Sequence, residues 1–236
     1  MAEIKILHSP CEREPFVIAY KPSGLPSAPL KNDDDCALNR VCRIFPEILS
    51  VKGKKSIEYG LIHRIDNETK GLLLIAANQF FYDSLILQQK EGKFKKNYFA
   101  ETDYFPELKV SEEIEFYDCE EGKKVTVTSR FRTVGEKGRM VKPVFCDSSF
   151  YDRKKCGQKN YTTEIILKDG RAFCTITEGF RHQVRTHLAC IGHPVKGDSL
   201  YNPKNKNQPL EFEACGLEFI NPVTDKILRY DLENKS

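Results

Sequence analysis

The side chains best placed for chemistry stand beside the most apolar stretch of the chain. In "LIHRIDNETKGLLLIAAN", residues 61–78, His63, Arg64 and Asp66 come just ahead of the uncharged run Leu72–Ala77. A carboxylate in such a place has two uses. Asp-Asn is good turn chemistry, so Asp66 can shape a turn. Held ionised in a cleft, it can instead act as nucleophile or base. Burial alone would neutralise it, so the second use needs a cationic partner. Arg64 is a near candidate and Arg185 a distant one. Spacing alone favours the turn.

A second group lies in "TEGFRHQVRTHLACIGHPVKGDSLY", residues 177–201. Val184, Leu188 and Ile191 fall at i, i+4 and i+7, which predicts a helix over 181–191 with one apolar stripe, closed by Gly192. Arg181 and Arg185 are also four apart and would share a neighbouring stripe. Taken alone, they read as exposed arginines of an amphipathic helix. The segment that follows turns at two glycines and presents Lys196, Asp198 and Tyr201 on one short loop, a common location for sites.

Several chemistries are excluded. His63-Arg64-Ile65-Asp66 differs from the kinase catalytic loop by an inserted residue, and neither a glycine-rich G-x-G-x-x-G nor D-F-G is present. The Walker A and G-x-S-x-G patterns are absent, as is the H-x-E with P-C-x-x-C of zinc deaminases. The nine cysteines are odd in number and scattered, with no CxxC pair, so neither a disulfide framework nor a zinc site is expected. No apolar run reaches membrane-spanning length, and the start "MAEIKILHSPCEREP" lacks signal-peptide character. These features predict a cytoplasmic protein with no membrane contact. The net charge of +3 proves no nucleic-acid partner. The basic clusters "KGKK" at 52–55 and "KEGKFKK" at 90–96 flank the opening stretch, and by themselves read as solvated surface.

The elements that must position these groups follow from periodicity and turn residues. Phe16–Tyr20 reads as a buried strand, followed by turns forced by the Pro and Gly of "KPSGLPSAP". "DDDCALNRVCRIFPEIL" reads as a helix led by acids, with a break near Pro46. "LIHRID" leads from a strand into a loop, and "GLLLIAAN" reads as a central strand covered on both faces. Asn78 is a plausible N-cap for a helix over "QFFYDSLILQQKEGK". Further strands fall at "KKNYFAETDY", "KVTVTSRFRTV", "NYTTEIILKDG" and "RAFCTITEG", the last two as a hairpin across Asp169-Gly170. Two more surround the Asn-Pro turn near the end. Regions 103–124 and 135–160 read as excursions. Many strands with a few helices, out of strict alternation, predict an α+β fold with a central mixed, mostly antiparallel sheet flanked by helices, in a single domain over 1–236.

Four segments, in order, resemble one family. "HRIDNETKGLLLIA" is similar to the H-R-[LI]-D-x-x-[TS]-x-G-[LI]-[LI] motif of RluA-type pseudouridine synthases. "VIAYKPSGLPS" resembles its strand and K-P-x-G turn, "KNYFA" its K-x-Y-x-A strand, and residues 177–201 its G-R-x-H-Q-[IL]-R-x-H segment with the following G-D-x-x-Y. Two departures stand out. Lys70 occupies a place where serine is common, and Phe180 separates Gly179 from Arg181.

The resemblance implies a pseudouridine synthase fold with an RNA-binding cleft. It implies a stand-alone catalytic domain with no S4-like N-terminal domain. The implied reaction isomerises uridine to pseudouridine in structured rRNA or tRNA, without cofactor or metal. Asp66 would be the catalytic carboxylate, as nucleophile at C1′ or base at C2′, with Arg185 as its ion-pair partner and Tyr98 against the uracil. Arg64 would fill the space left by a flipped nucleotide, since C1′ in a stacked helix is out of reach. His63, Arg181, Gln183, Lys95 and Lys96 are the further expected RNA contacts. Lys52, Lys54, Lys55 and Lys93 would be additional phosphate contacts. A monomer is expected. The rival reading is an RNA-binding module of the same fold without catalysis.

Overall fold

The computed structural model describes residues 3–105, 107, 111, 114–204 and 207–232. In chain order it runs through β1 (Lys5–His8), β2 (Phe16–Lys21), α1 (Ala37–Ile44), β3 (Lys70–Ala76), α2 (Gln79–Lys90) and β4 (Lys95–Glu101). There follow β5 (Phe116–Cys119), β6 (Gly122–Val134), β7 (Met140–Val144), α3 (Phe150–Lys155) and β8 (Tyr161–Lys168). The last elements are β9 (Arg171–Ile176), α4 (Gln183–Cys190), β10 (Phe212–Ile220) and β11 (Ile227–Asp231). The chain forms two compact units, one of Met1–Lys96 with Glu213–Ser236 and the other of Asn97–Phe212.

In the first unit β1, β2 and β3 pair antiparallel, β10 joins β3 in parallel, and β11 pairs antiparallel with β10. The sheet is therefore mixed. Side chains of a strand alternate between faces, and here both faces are covered. Phe16, Ile18, Leu72, Leu74 and Ala76 meet Phe81, Tyr82 and Leu85 of α2 on one side. Val17, Ala19 and Ile75 meet Leu38, Val41 and Cys42 of α1 and Ile48 on the other. That is why "GLLLIA" shows no alternation. Each buried Val, Leu, Ile or Phe among them contributes about 1.5–3 kcal/mol of transfer free energy. Asn78 caps α2 as the sequence predicts, its side chain accepting from the Phe81 N–H at 2.8 Å. At α1 the acids Asp33, Asp34 and Asp35 lead the helix and stop just short of its cap. No acid lies in its first turn, and the Cys36 side chain accepts from Asn39 N–H instead. "LIHRID" forms no regular strand; it makes an isolated bridge between Leu61 and Ile75, and the Ile62 N–H donates to the Leu74 carbonyl at 3.1 Å.

In the second unit β4 lies beside β9, followed by β8, β6 and β5. β7 pairs with the far half of β6, from Arg130 to Val134. The β8–β9 hairpin turns through Asp169 and Gly170, with φ of 50° and 72°, the paired positive angles of a tight hairpin. Val125, Val127, Phe131, Ile165, Leu167, Ala172 and Cys174 alternate inward. The excursions contain more regular structure than their sequence signalled: β5 in the first, and β7 and α3 in the second. Residues 106, 108–110 and 112–113 of the first excursion lie outside the described residues. α4 also corrects the sequence reading. It begins at Gln183, with His182 as N-cap at φ 56°, so Arg181 precedes the helix and shares no stripe with Arg185. The residue ahead of Arg181 accounts for this. Phe180 stacks on Phe131 with ring centres 4.7 Å apart, which anchors the chain ahead of the helix.

Candidate functional site

Asp66 heads a turn closed by its own backbone carbonyl, which accepts from Thr69 N–H at 3.1 Å. The side chain is half-buried. This turn is clasped from below by the loop that leaves β2. Ser27 Oγ donates to the Ile65 carbonyl at 2.7 Å and accepts from the Ile65 N–H at 3.2 Å. Gly24 N–H donates to the Asn67 carbonyl at 2.9 Å, and Ser23 Oγ to that of Glu68 at 2.7 Å. Gly24 has φ of 83°, a backbone angle glycine adopts freely.

Lys21 lies at the centre of this clasp. It is fully buried, and its ammonium donates to the carbonyls of Leu25 at 2.7 Å, Pro22 at 3.0 Å and Asn67 at 3.1 Å. Burial pulls its pKa down to about 8, against the opposing pull of the Asp66 charge. The sequence reading gave Lys21 and Ser27 no role. The available signal was a lysine closing an otherwise apolar strand, a residue that stays buried only when its charge is satisfied.

On the far side of the turn β3 begins. Gly71 has φ of 128°, and a Cβ there would come within 2.2 Å of the Ala214 carbonyl oxygen, so the parallel pairing with β10 requires glycine. The same register sets Lys70 opposite Glu213, an opposite-charge pairing that sheets favour. That gives the unusual lysine a physical setting.

Arg64 is exposed and contacts Glu58 at 3.2 Å. His63 points into the core. Its Nε2 accepts from the Leu74 N–H at 3.2 Å, which places the ring proton on Nδ1, where no hydrogen-bond partner is found among the described residues. Burial, with a smaller push from the Lys96 charge, drives its pKa down to about 3. Lys96 is buried too, its ammonium 5.6 Å from the centre of the Phe94 ring, which also neighbours His63. Lys95 is half-exposed and paired with Glu218 at 2.9 Å.

In the second unit Arg185 is buried and grips Asp198 with two bonds, Nε to Oδ2 at 2.7 Å and Nη2 to Oδ1 at 2.8 Å. Asp198 also accepts from the N–H groups of Leu200 and Tyr201, and Tyr201 accepts the Val141 N–H at 2.9 Å. Tyr98 is buried on β4, stacked on Phe212 with centres 5.2 Å apart and planes 9° from parallel. Gln183 is buried, donating to the Thr162 carbonyl at 2.9 Å and accepting the Phe180 N–H at 3.0 Å. Arg181 is exposed and donates to the carbonyls of Gly138 and Met140. The structure thus groups Asp66 with Lys21 in the first unit, and Arg185 with Asp198 in the second. Among the described residues, no three His, Cys, Asp or Glu side chains converge on a metal-binding position, and no helix is long and apolar enough to cross a membrane.

A family model described as RNA pseudouridylate synthase matches residues 15–190. The chain is 27% identical over 234 residues to a protein of Zymomonas mobilis named ribosomal large subunit pseudouridine synthase D, covering 94% of this chain and 67% of that one. It is 27% identical over 232 residues to the dual-specificity RNA pseudouridine synthase RluA of Pasteurella multocida, covering 91% and 87%. The chain spans about two thirds of the length of several curated relatives it matches. Among solved structures, human RNA pseudouridylate synthase domain containing 1 superposes with a TM-score of 0.67 at 17% identity, covering 98% of this chain and 84% of that one. This last likeness concerns the fold.

Proposed function

We propose that this chain, which belongs to the RNA pseudouridylate synthase family, converts uridine to pseudouridine within structured RNA. The observation that carries the reading is the extent of the family match, which runs through Asp66, Tyr98 and Arg185 alike. The N1–C1′ bond breaks, the uracil turns while held, and C5 bonds to C1′. The proton lost from C5 is balanced by the one gained at N1. One glycosidic bond replaces another with no change of oxidation state, so the proposal needs no cofactor or metal.

In this proposal Asp66 acts on the ribose, as nucleophile at C1′ or base at C2′, and Arg185 keeps it ionised. Tyr98 offers a ring to the uracil and a hydroxyl to the C5 proton. Arg64 enters the vacated stack, and His63, Arg181, Gln183, Lys95 and Lys96 support RNA contact directly or by position. The substrate is ribosomal or transfer RNA, the first being the class that one group of relatives' names prints, met by a monomer in the cytoplasm.

The test is pseudouridine mapping in total RNA incubated with the unaltered chain and with Asp66→Ala. The unaltered chain should place pseudouridine at defined uridines. Asp66→Ala should place none, while binding RNA within about tenfold of the original affinity, or about 1.4 kcal/mol. Turnover by cleanly purified Asp66→Ala overturns the mechanism. Absence of product from the unaltered chain favours the non-catalytic rival.

A further inference from the structure

Residues 137–160 carry seven lysines and arginines against two aspartates, a larger surplus than the net +3 of the whole chain. One of those aspartates, Asp152, is 7% exposed, and its charge is taken up by ion pairs. It pairs with Arg132 of β6, with Lys142 of β7 at 2.9 Å, and with the Ser149 hydroxyl at 2.9 Å. These contacts fix α3 to two strands. Its orientation therefore rests on a scaffold, even though the helix has only six residues.

What α3 presents to solvent is unusual. Phe150 is 74% exposed and Tyr151 58% exposed, side by side in sequence. Neighbouring aromatics with most of their surface in water add little to a core, and such surfaces commonly serve binding. The Arg132 guanidinium lies over the Tyr151 ring, 4.4 Å from its centre, which steadies that ring. Beyond the buried Asp152 come Arg153, Lys154 and Lys155, all exposed.

We infer that this excursion is a second RNA-docking surface, where Phe150 and Tyr151 stack on unpaired bases outside the modified nucleotide while Arg153, Lys154 and Lys155 hold phosphates. The inference rests on the reading of the chain as an RNA enzyme and adds where, and on what form of RNA, it takes hold. Aromatic faces can stack only on bases that are not already stacked in a helix, so the surface selects single strands over duplex. Every base has a face, so this contact carries little sequence preference. It would tether RNA of varied sequence, leaving choice of the target uridine elsewhere.

The experiment is fluorescence anisotropy on the full chain with a labelled oligouridine single strand and a blunt RNA duplex. Three variants are compared: Phe150→Ala with Tyr151→Ala; Arg153→Glu with Lys154→Glu and Lys155→Glu; and Phe80→Ala. Phe80 is an exposed aromatic of α2, in a stretch with no lysine or arginine between Lys70 and Lys90. The aromatic pair should weaken single-strand binding about tenfold and duplex binding far less. The charge reversal should weaken both, and lower the slope of log affinity against log salt by about 2 on the single strand. Phe80→Ala should change neither. Unchanged single-strand affinity in both excursion variants overturns the inference, as does absence of affinity in the unaltered chain. An acidic protein partner in place of RNA would give the first of these results. The assay involves no turnover, so it decides this inference even if no pseudouridine is ever formed.

Discussion

Lys21 and Asn67, forty-six positions apart, are joined by a bond of 3.1 Å from the lysine ammonium to the asparagine carbonyl. Through it a charged group at the end of β2 supports the turn that carries Asp66. Replacing Lys21 with Met keeps much of the volume but leaves the Pro22 and Leu25 carbonyls without this donor, while that of Asn67 keeps only the Gly24 N–H. Unsatisfied buried acceptors cost about 1–3 kcal/mol each. Lys21→Met should therefore lower urea stability, and a displaced Asp66 should lower kcat by about a hundredfold. RNA affinity should hold. Single-turnover rates on a mapped substrate, alongside anisotropy, make the check. A full-rate Lys21→Met would show that the clasp does not position Asp66.

The bidentate grip of Arg185 on Asp198 supports a second prediction. Both are buried, and Asp198 takes two of the five guanidinium N–H donors. Removing one member of a buried pair leaves the other uncompensated and costs about 3–5 kcal/mol. Asp198→Leu should be destabilised on that scale. Arg185→Met combined with Asp198→Leu should be more stable than either single variant, because the orphaned charge is gone. If Arg185 also serves Asp66, the double variant recovers stability without recovering turnover. Recovery of both would reduce Arg185 to a structural role.

These two relationships mark where sequence reading stopped. The covered strand at "GLLLIA", the Asn78 cap and the Asp-Gly hairpin were legible because each rests on local chemistry: uninterrupted apolarity, a side-chain acceptor at a helix start, a turn that tolerates positive φ. Asp66 and Arg185 were visible as chemical types in a family pattern. Lys21 was not, since its role depends on carbonyls of a loop that only the fold brings beneath it. Asp198 was seen as a loop residue, and nothing in its spacing from Arg185 announced a buried pair. The 181–191 helix was drawn too long because periodicity does not register a residue like Phe180, whose anchoring comes from a β6 side chain. β7 and α3 were missed for a similar reason. Their residues alternate weakly and are held by Asp152, a tertiary contact.

Arg64 offers a third prediction. Its exposed side chain reaches Glu58 at 3.2 Å, and surface pairs of this kind are worth about 0–1 kcal/mol. Little therefore opposes its moving to a ligand. Arg64→Ala should leave folding stability nearly unchanged. If the guanidinium fills a vacated base stack, turnover should fall more on a stem-loop than on an unstructured strand carrying the same uridine, because only the stem-loop must be unstacked. Equal losses on both substrates would remove Arg64 from flipping.

The buried histidines set the response to acid. Burial drives the pKa of His63 down to about 3, and that of His187 to about 3 as well. His187 lies between the hydroxyls of Ser129 at 2.9 Å and Thr163 at 2.8 Å and has no room to charge cheaply. In the unfolded chain each titrates near 6.5. Between these values the unfolded state binds more protons than the native one, so stability rises with pH across the window from about 3 to about 6.5. Above the window the two states are equally neutral and the contribution is flat. Lowering the pH from 7 to 5 should thus cost about 2 kcal/mol for each ring. Urea titrations at the two pH values measure the sum. His187→Gln, whatever its stability at pH 7, should lose about half of the difference between them. A variant that keeps the whole acid sensitivity would mean that His187 charges in the folded state without penalty, and that another group carries the acid response.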